Sequence, residues 1–98
     1  MKILTLEKDL PGVTESQFTD QLLKEEAKHV WQLHQSGVIR ELYFRADRDA
    51  AVLILECATQ EEAKAVLSTL PLVEQKLIDF DIIPLKSYPG FTRLFEQE

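Results

Sequence analysis

The sequence is short of several residue types, and each shortage removes a class of function. A single cysteine, Cys57, stands among 98 residues, so no intrachain disulfide and no thiolate cluster for a metal can form. The 3 glycines, at positions 12, 37 and 90, are scattered, which excludes the clustered loop that cradles a nucleotide phosphate. Positive charge is scarce: 11 Lys and Arg face 17 Asp and Glu, for a net charge of −6. Such a chain repels nucleic-acid backbones and anionic membrane surfaces. No apolar run approaches the roughly 20 residues of a membrane span. The N-terminal segment breaks at Glu7-Lys8-Asp9, too early for an export signal. A cytoplasmic protein with neither nucleic-acid nor membrane partner is therefore expected.

What is present describes one globular domain over residues 1–98. Apolar residues make up 45% and charged residues 29%, the composition of a folded domain. A domain of this size buries only about 60–65% of the surface of its unfolded chain, so a partner subunit would help it.

Patterning along the chain gives the order of elements. Residues 2–6 read as a first strand, ended by Pro11-Gly12. Thr14 and Gln17 have capping-box spacing and open a helix that runs to about Ser36, with Gly37 as its stop. Residues 38–45 form a second strand, Ala46 to Asp49 a polar turn, and residues 50–57 a nearly continuous apolar third strand. Thr59 and Glu62 form a second capping box. Ala63, Val66, Leu67 and Leu70 recur at i, i+3, i+4 and i+7 on the helix that follows, and Pro71 ends it. Residues 77–85 form the last strand. The order β-α-β-β-α-β specifies an α+β, ferredoxin-like fold, with a four-stranded antiparallel sheet and two helices on one face.

Alternation assigns the two faces of the sheet. Arg40, Leu42 and Phe44 are expected under the helices with Ala51, Leu53, Leu55 and Cys57. Ile39, Glu41, Tyr43, Arg45, Val52, Ile54 and Glu56 are expected on the other face, with Asp79 and Asp81. That bare face is too apolar to leave in water, and a second copy of the chain would cover it. The tail from residue 86 to 98 carries Phe91, Leu94 and Phe95 and is expected to contact the partner subunit of this homodimer.

One residue conflicts with its surroundings. On a helical wheel of about 100° per residue, Leu23, Ala27, Val30 and Leu33 mark the buried stripe of the first helix, and Glu26 falls inside it. A carboxylate there needs a partner or a raised pKa, and Arg40, on the helix-facing side of the second strand, is the expected partner. His34 projects near the centre of the same stripe; His29 lies at its edge and does not share a face with His34, so a metal pair is not expected. Cys57 reads as a small buried hydrophobe.

The stretch from Glu26 to Leu72 resembles the muconolactone isomerases of the dimeric α+β barrel superfamily. The likeness rests on Glu26, on the run Gly37-x-x-Arg40-x-Leu42-aromatic, and on Leu70-Pro71-Leu72. Where that family has Leu-Trp-Arg this chain has Leu42-Tyr43-Phe44, and its His-Pro is Tyr88-Pro89 here. The resemblance implies a pocket between sheet and helices, and an isomerase-like enzyme that moves a proton without metal or organic cofactor. Its substrate would be a small anionic organic molecule: a carboxylic acid, a lactone or a polyketide-like compound. Glu26 would remove a proton beside a carbonyl, Arg40 would stabilise the anion, and His34 or Tyr88 would return the proton. The alternative is a non-catalytic dimeric binding or accessory module in which Glu26 and Arg40 form a structural ion pair. A pocket lined by Glu26 favours the enzyme; a filled seam with Glu26 bonded to Arg40 favours the module.

Overall fold

Four strands and three helices follow one another as β1 (Lys2–Asp9), α1 (Asp20–Gln35), β2 (Ile39–Phe44), β3 (Ala51–Glu56), α2 (Gln60–Leu67), α3 (Pro71–Glu74) and β4 (Ile78–Pro84). They are seen in a computed structural model that describes residues 1–96; the last two residues of the expected tail, 97 and 98, lie outside the described residues. The strands form one antiparallel sheet in the order β2-β3-β1-β4. This is the ferredoxin-like α+β arrangement read from the sequence. Among the described residues no helix is long and apolar enough to cross a membrane.

Local chemistry sets the ends of the helices. Thr14 does close a box, its N–H donating to Gln17 Oε1 at 2.7 Å, but it caps only the single 3-10 turn Glu15–Gln17. Thr19 is the cap that starts α1, its hydroxyl accepting from Leu22 N at 3.2 Å, so the predicted long helix is two pieces. Gly37 ends α1 as expected, with a left-handed φ of 86° and the Val38 N–H bonded to Leu33 O at 3.1 Å, the arrangement a glycine C′ favours. Thr59 caps α2 by accepting from Glu62 N at 3.0 Å. Pro71 does not merely end that helix. It occupies the first turn of α3, where its missing N–H costs nothing.

The core lies on one side of the sheet, and register decides who belongs to it. Ile3, Leu53, Leu55, Ile78 and Phe80 point inward from the strands and meet Ala63, Leu67, Leu70 and Leu72 from α2 and α3. Thr5 is the buried polar residue of this layer, and its hydroxyl donates to Leu53 O at 2.9 Å. One irregularity corrects the sequence assignment. Ile39 pairs with Leu55, yet Glu41 pairs with Ile54, so Arg40 is an extra residue in a β-bulge. The bulge returns Ile39 to the core face, where it is 1% exposed, and leaves Arg40 on the surface. Strict alternation had placed each on the opposite side. Leu42, Phe44, Tyr43, Glu41, Val52 and Ile54 keep their predicted faces, because the pairing is regular from Glu41 onward. Arg45 lies just beyond β2 and is held in the turn by Asp47, with Nη2 to Oδ2 at 2.6 Å.

The opposite face carries Leu4, Leu6, Tyr43, Val52, Ile54 and Ile83, with Lys8 paired to Asp81 at 3.0 Å. Beyond β4 the tail leaves the body of the domain. The molecule measures 62 × 28 × 23 Å with a radius of gyration of 16.4 Å, whereas a compact chain of about 100 residues has about 13 Å. Tyr88, Phe91, Leu94 and Phe95 are all exposed along the tail. The expected sheet-to-sheet homodimer gives a direct test of this open face. Light scattering should return twice the chain mass for the wild type and a single chain mass for Ile54→Glu, whose charge would sit at the centre of the contact; a wild-type monomer at micromolar concentration would refute the dimer.

Candidate active site

α1 packs against β2 and α3, and none of its residues is fully buried. Between it and the sheet opens a cavity of about 530 Å³, within the range of small-molecule sites. Leu23, Ala27 and Val30 of α1, Leu42 and Phe44 of β2, and Leu53 and Phe80 from the sheet wall it. The apolar stripe predicted for α1 is therefore real, but its Leu23 end faces a cavity instead of a packed core, and Leu23 is 43% exposed.

Two carboxylates enter this apolar space from opposite sides. Glu26 comes from α1, and its Oε1 accepts the Leu72 N–H at 2.9 Å. Leu72 lies in the first turn of α3, where a backbone N–H has no partner within the helix. Glu7 comes from the sheet. It is the next core-facing position of β1 after Ile3 and Thr5, and its Oε1 accepts the Ala51 N–H at 3.0 Å. Both side chains line the cavity.

Their surroundings favour the protonated forms. Burial raises the pKa of Glu26 most; the Leu72 N–H lowers it, the charge of Glu7 raises it again, and His29 lowers it. Burial likewise raises Glu7, the Ala51 N–H lowers it, and Asp9 raises it more than Arg48 lowers it.

The other residues singled out in the sequence lie elsewhere. Arg40 does not meet Glu26: the bulge turns it outward, and its Nε donates to Gly37 O at 2.7 Å. His34 Nδ1 bonds to Ile39 O at 2.9 Å, tying the end of α1 to the start of β2. Tyr88 is 71% exposed in the tail and packs edge-on against Phe91, ring centres 5.1 Å apart. His29 Nε2 bonds to Thr69 Oγ1 at 2.7 Å. Cys57 is buried. Of the predicted set, Glu26 alone lines the cavity. Glu7 went unnoticed because the first strand was ended at residue 6. Extending the alternation of Ile3 and Thr5 by one step would have placed an acid on the core face. Among the described residues no group of three or more His, Cys, Asp and Glu could hold a metal ion.

The raised acids make a prediction with a definite sign. A carboxyl group whose pKa is higher folded than unfolded binds its proton more tightly in the folded state. Its cost to stability is absent below the ordinary value of 4.5 and grows as pH rises through the raised folded value. Glu7→Gln keeps an oxygen for the Ala51 N–H and removes the charge. Its melting temperature should exceed that of the wild type at pH 8, each kcal/mol relieved being worth roughly 4–8 °C in a domain this size, and the gap should close by pH 4. Thermal melts across that range check this; a gap that widens towards acid would contradict it.

The comparisons with known proteins agree with this fold. A crystal structure of muconolactone isomerase superimposes with a TM-score of 0.75 at 22% identity, covering 92% of this chain and 93% of that one. A 5-chloro-2-hydroxyhydroquinone dehydrochlorinase from Burkholderia phenoliruptrix AC1100, in complex with 2,5-dihydroxybenzoquinone, superimposes with a TM-score of 0.61 at 18% identity, covering 92% and 98%. At these identities the superpositions speak for the fold. No curated protein sequence matches the chain. The family profile of muconolactone delta-isomerase matches residues 3–90, a span that takes in all four strands but for Lys2, α1 to α3, and both acids of the cavity, and the chain belongs to that family.

Proposed function

We propose that the protein is a cofactor-free enzyme that isomerises a small carbonyl compound, such as a lactone or a polyketide-like molecule, by moving a proton from one carbon to another. The observation that carries this reading is the pair Glu7 and Glu26 in one apolar cavity. Isomerisation needs a base to take a proton beside a carbonyl and an acid to give one back. One ionised and one protonated carboxyl group in the same cavity would supply both, and burial raises the pKa of each. Family membership supports the reaction class. The relative solved with 2,5-dihydroxybenzoquinone supports an unsaturated carbonyl compound as the kind of molecule this fold can hold.

In this mechanism ionised Glu26 removes the proton from the carbon next to the carbonyl, and the C–H electrons move into an enolate. Glu7, which enters the cavity from the sheet side, is the acid in this scheme. It hydrogen-bonds the developing oxyanion and then delivers its proton to the second carbon as the double bond shifts. The product is an isomer, Glu26 ends protonated and Glu7 ionised, and transfer between the two acids restores the starting state. His34 and Tyr88 do not line the cavity and are given no step in this scheme. A purely structural Glu26–Arg40 pair loses its support with the two side chains apart and the seam hollow.

The test uses Glu26→Gln, which can still accept the Leu72 N–H. With a γ-butenolide in D₂O, proton NMR should show exchange and migration of the ring double bond for the wild type. Both should fall by a factor on the order of 100 or more in the variant, while its melting temperature holds or rises. An unchanged rate in a folded Glu26→Gln protein would reject Glu26 as the base.

A further inference from the structure

α1 is held over its cavity by few fixed points. None of its residues is fully buried, so packing constrains it less than it does α2, which buries Ala63 and Leu67. Among the described residues, three side-chain hydrogen bonds reach from it to other parts of the chain. Glu26 accepts from Leu72 N at 2.9 Å, His29 Nε2 meets Thr69 Oγ1 at 2.7 Å, and His34 meets Ile39 O at 2.9 Å. The last lies at the far end of the helix, but the first two work side by side. Glu26 and His29 are three positions apart and so are neighbours on one helix face. Thr69 and Leu72 are also three apart and flank the Leu70-Pro71 corner between α2 and α3. Building on the proton-transfer reading, we infer that His29 is a positioning residue: its bond to Thr69 fastens α1 to the α2–α3 corner and so holds the Glu26 carboxyl at the cavity wall.

The threonine decides which way that bond runs. Its hydroxyl has one hydrogen, and Thr69 gives it to Val66 O, 2.6 Å away in the last turn of α2. Thr69 Oγ1 is therefore the acceptor, and His29 Nε2 carries the hydrogen. The run of bonds from His29 through Thr69 to Val66 thus joins α1 to the end of α2. Because Nε2–H is the donor, the bond persists whether or not Nδ1 is protonated. His29 can carry a positive charge without leaving its place, and in that form it favours ionised Glu26, the state that takes the proton. The Leu72 N–H from α3 acts in the same sense, and Glu7 from the sheet in the opposite one. Without the His29–Thr69 bond the corner is held by Glu26 alone, and α1 can pivot on the bond to Leu72. A small displacement of a reacting group costs rate out of proportion to stability.

Three single variants and one double variant separate positioning from folding. His29→Leu removes the donor, Thr69→Val removes the acceptor, and Thr69→Ser keeps the hydroxyl. With a γ-butenolide in D₂O, kcat for ring-proton exchange should fall about tenfold in His29→Leu and in Thr69→Val, with KM changing less than about threefold. The double variant should lose no more than either single one, as expected for two ends of one interaction. Thr69→Ser should exchange at the wild-type rate. The Leu72 amide is followed by NMR against pH on the same samples without substrate. Its proton should shift downfield as Glu26 ionises in the wild type; that response should shrink by half or more in His29→Leu and Thr69→Val and return in Thr69→Ser. If His29→Leu does not fold, the Thr69→Val and Thr69→Ser pair carries the comparison. Variants that melt at lower temperature but keep both kcat and the Leu72 response make the bond merely structural and overturn the inference, as do losses that add in the double variant. A wild type that exchanges no ring protons counts against the proton-transfer reading alone, and the Leu72 response then decides whether His29 positions Glu26.

Discussion

The structure around the site depends on two carboxylates held inside an apolar space, each satisfied by one backbone N–H. Glu26 reaches from α1 to Leu72 and so joins the first helix to the start of α3. Glu7 reaches from β1 to Ala51 and so joins the central strand to the start of β3. Each bond offsets part of the cost of burying an acid, and each anchors an element that forms a wall of the cavity. Removing either acid would free a backbone donor as well as a charge. The same groups thus fix the geometry of the cavity and supply its chemistry.

A hollow beneath α1 is a costly feature in so small a domain. Packing at protein density would close it, and the apolar stripe of α1 has residues to do so. The helix instead rests on β2 and α3, leaving Leu23, Ala27 and Val30 along an open space. The rest of the fold offsets this. Ile3, Leu55, Ala63 and Leu70 are fully enclosed on the same side of the sheet, so the well-packed half of the core, under α2 and α3, supports the half left open.

The second departure from regularity is the bulge at Arg40. One extra residue shifts the first part of β2 by a step, sends Ile39 into the core and turns Arg40 to the surface. The electrostatics of the cavity follow from that single insertion. With it, the charged residues lining the cavity among the described residues are Glu7 and Glu26.

The amino-acid sequence by itself determined the order of elements, the all-antiparallel sheet and the conflict at Glu26. These follow from local signals: the capping residue Thr59, Gly37 at a left-handed helix end, and alternation along β3 and β4. Each is decided by residues within a turn or two of one another. Tertiary structure alone decided three other matters. Arg40 was misplaced because a bulge depends on how β2 pairs with β3, and no pattern within β2 reveals it. Glu7 was missed because its meaning comes from Glu26, 19 positions away in sequence and on another element. Whether the stripe of α1 meets a wall or a cavity depends on where that helix comes to rest against β2 and α3. Periodicity states which face is apolar, but the distance that face keeps from the sheet is set by the packing of the whole domain.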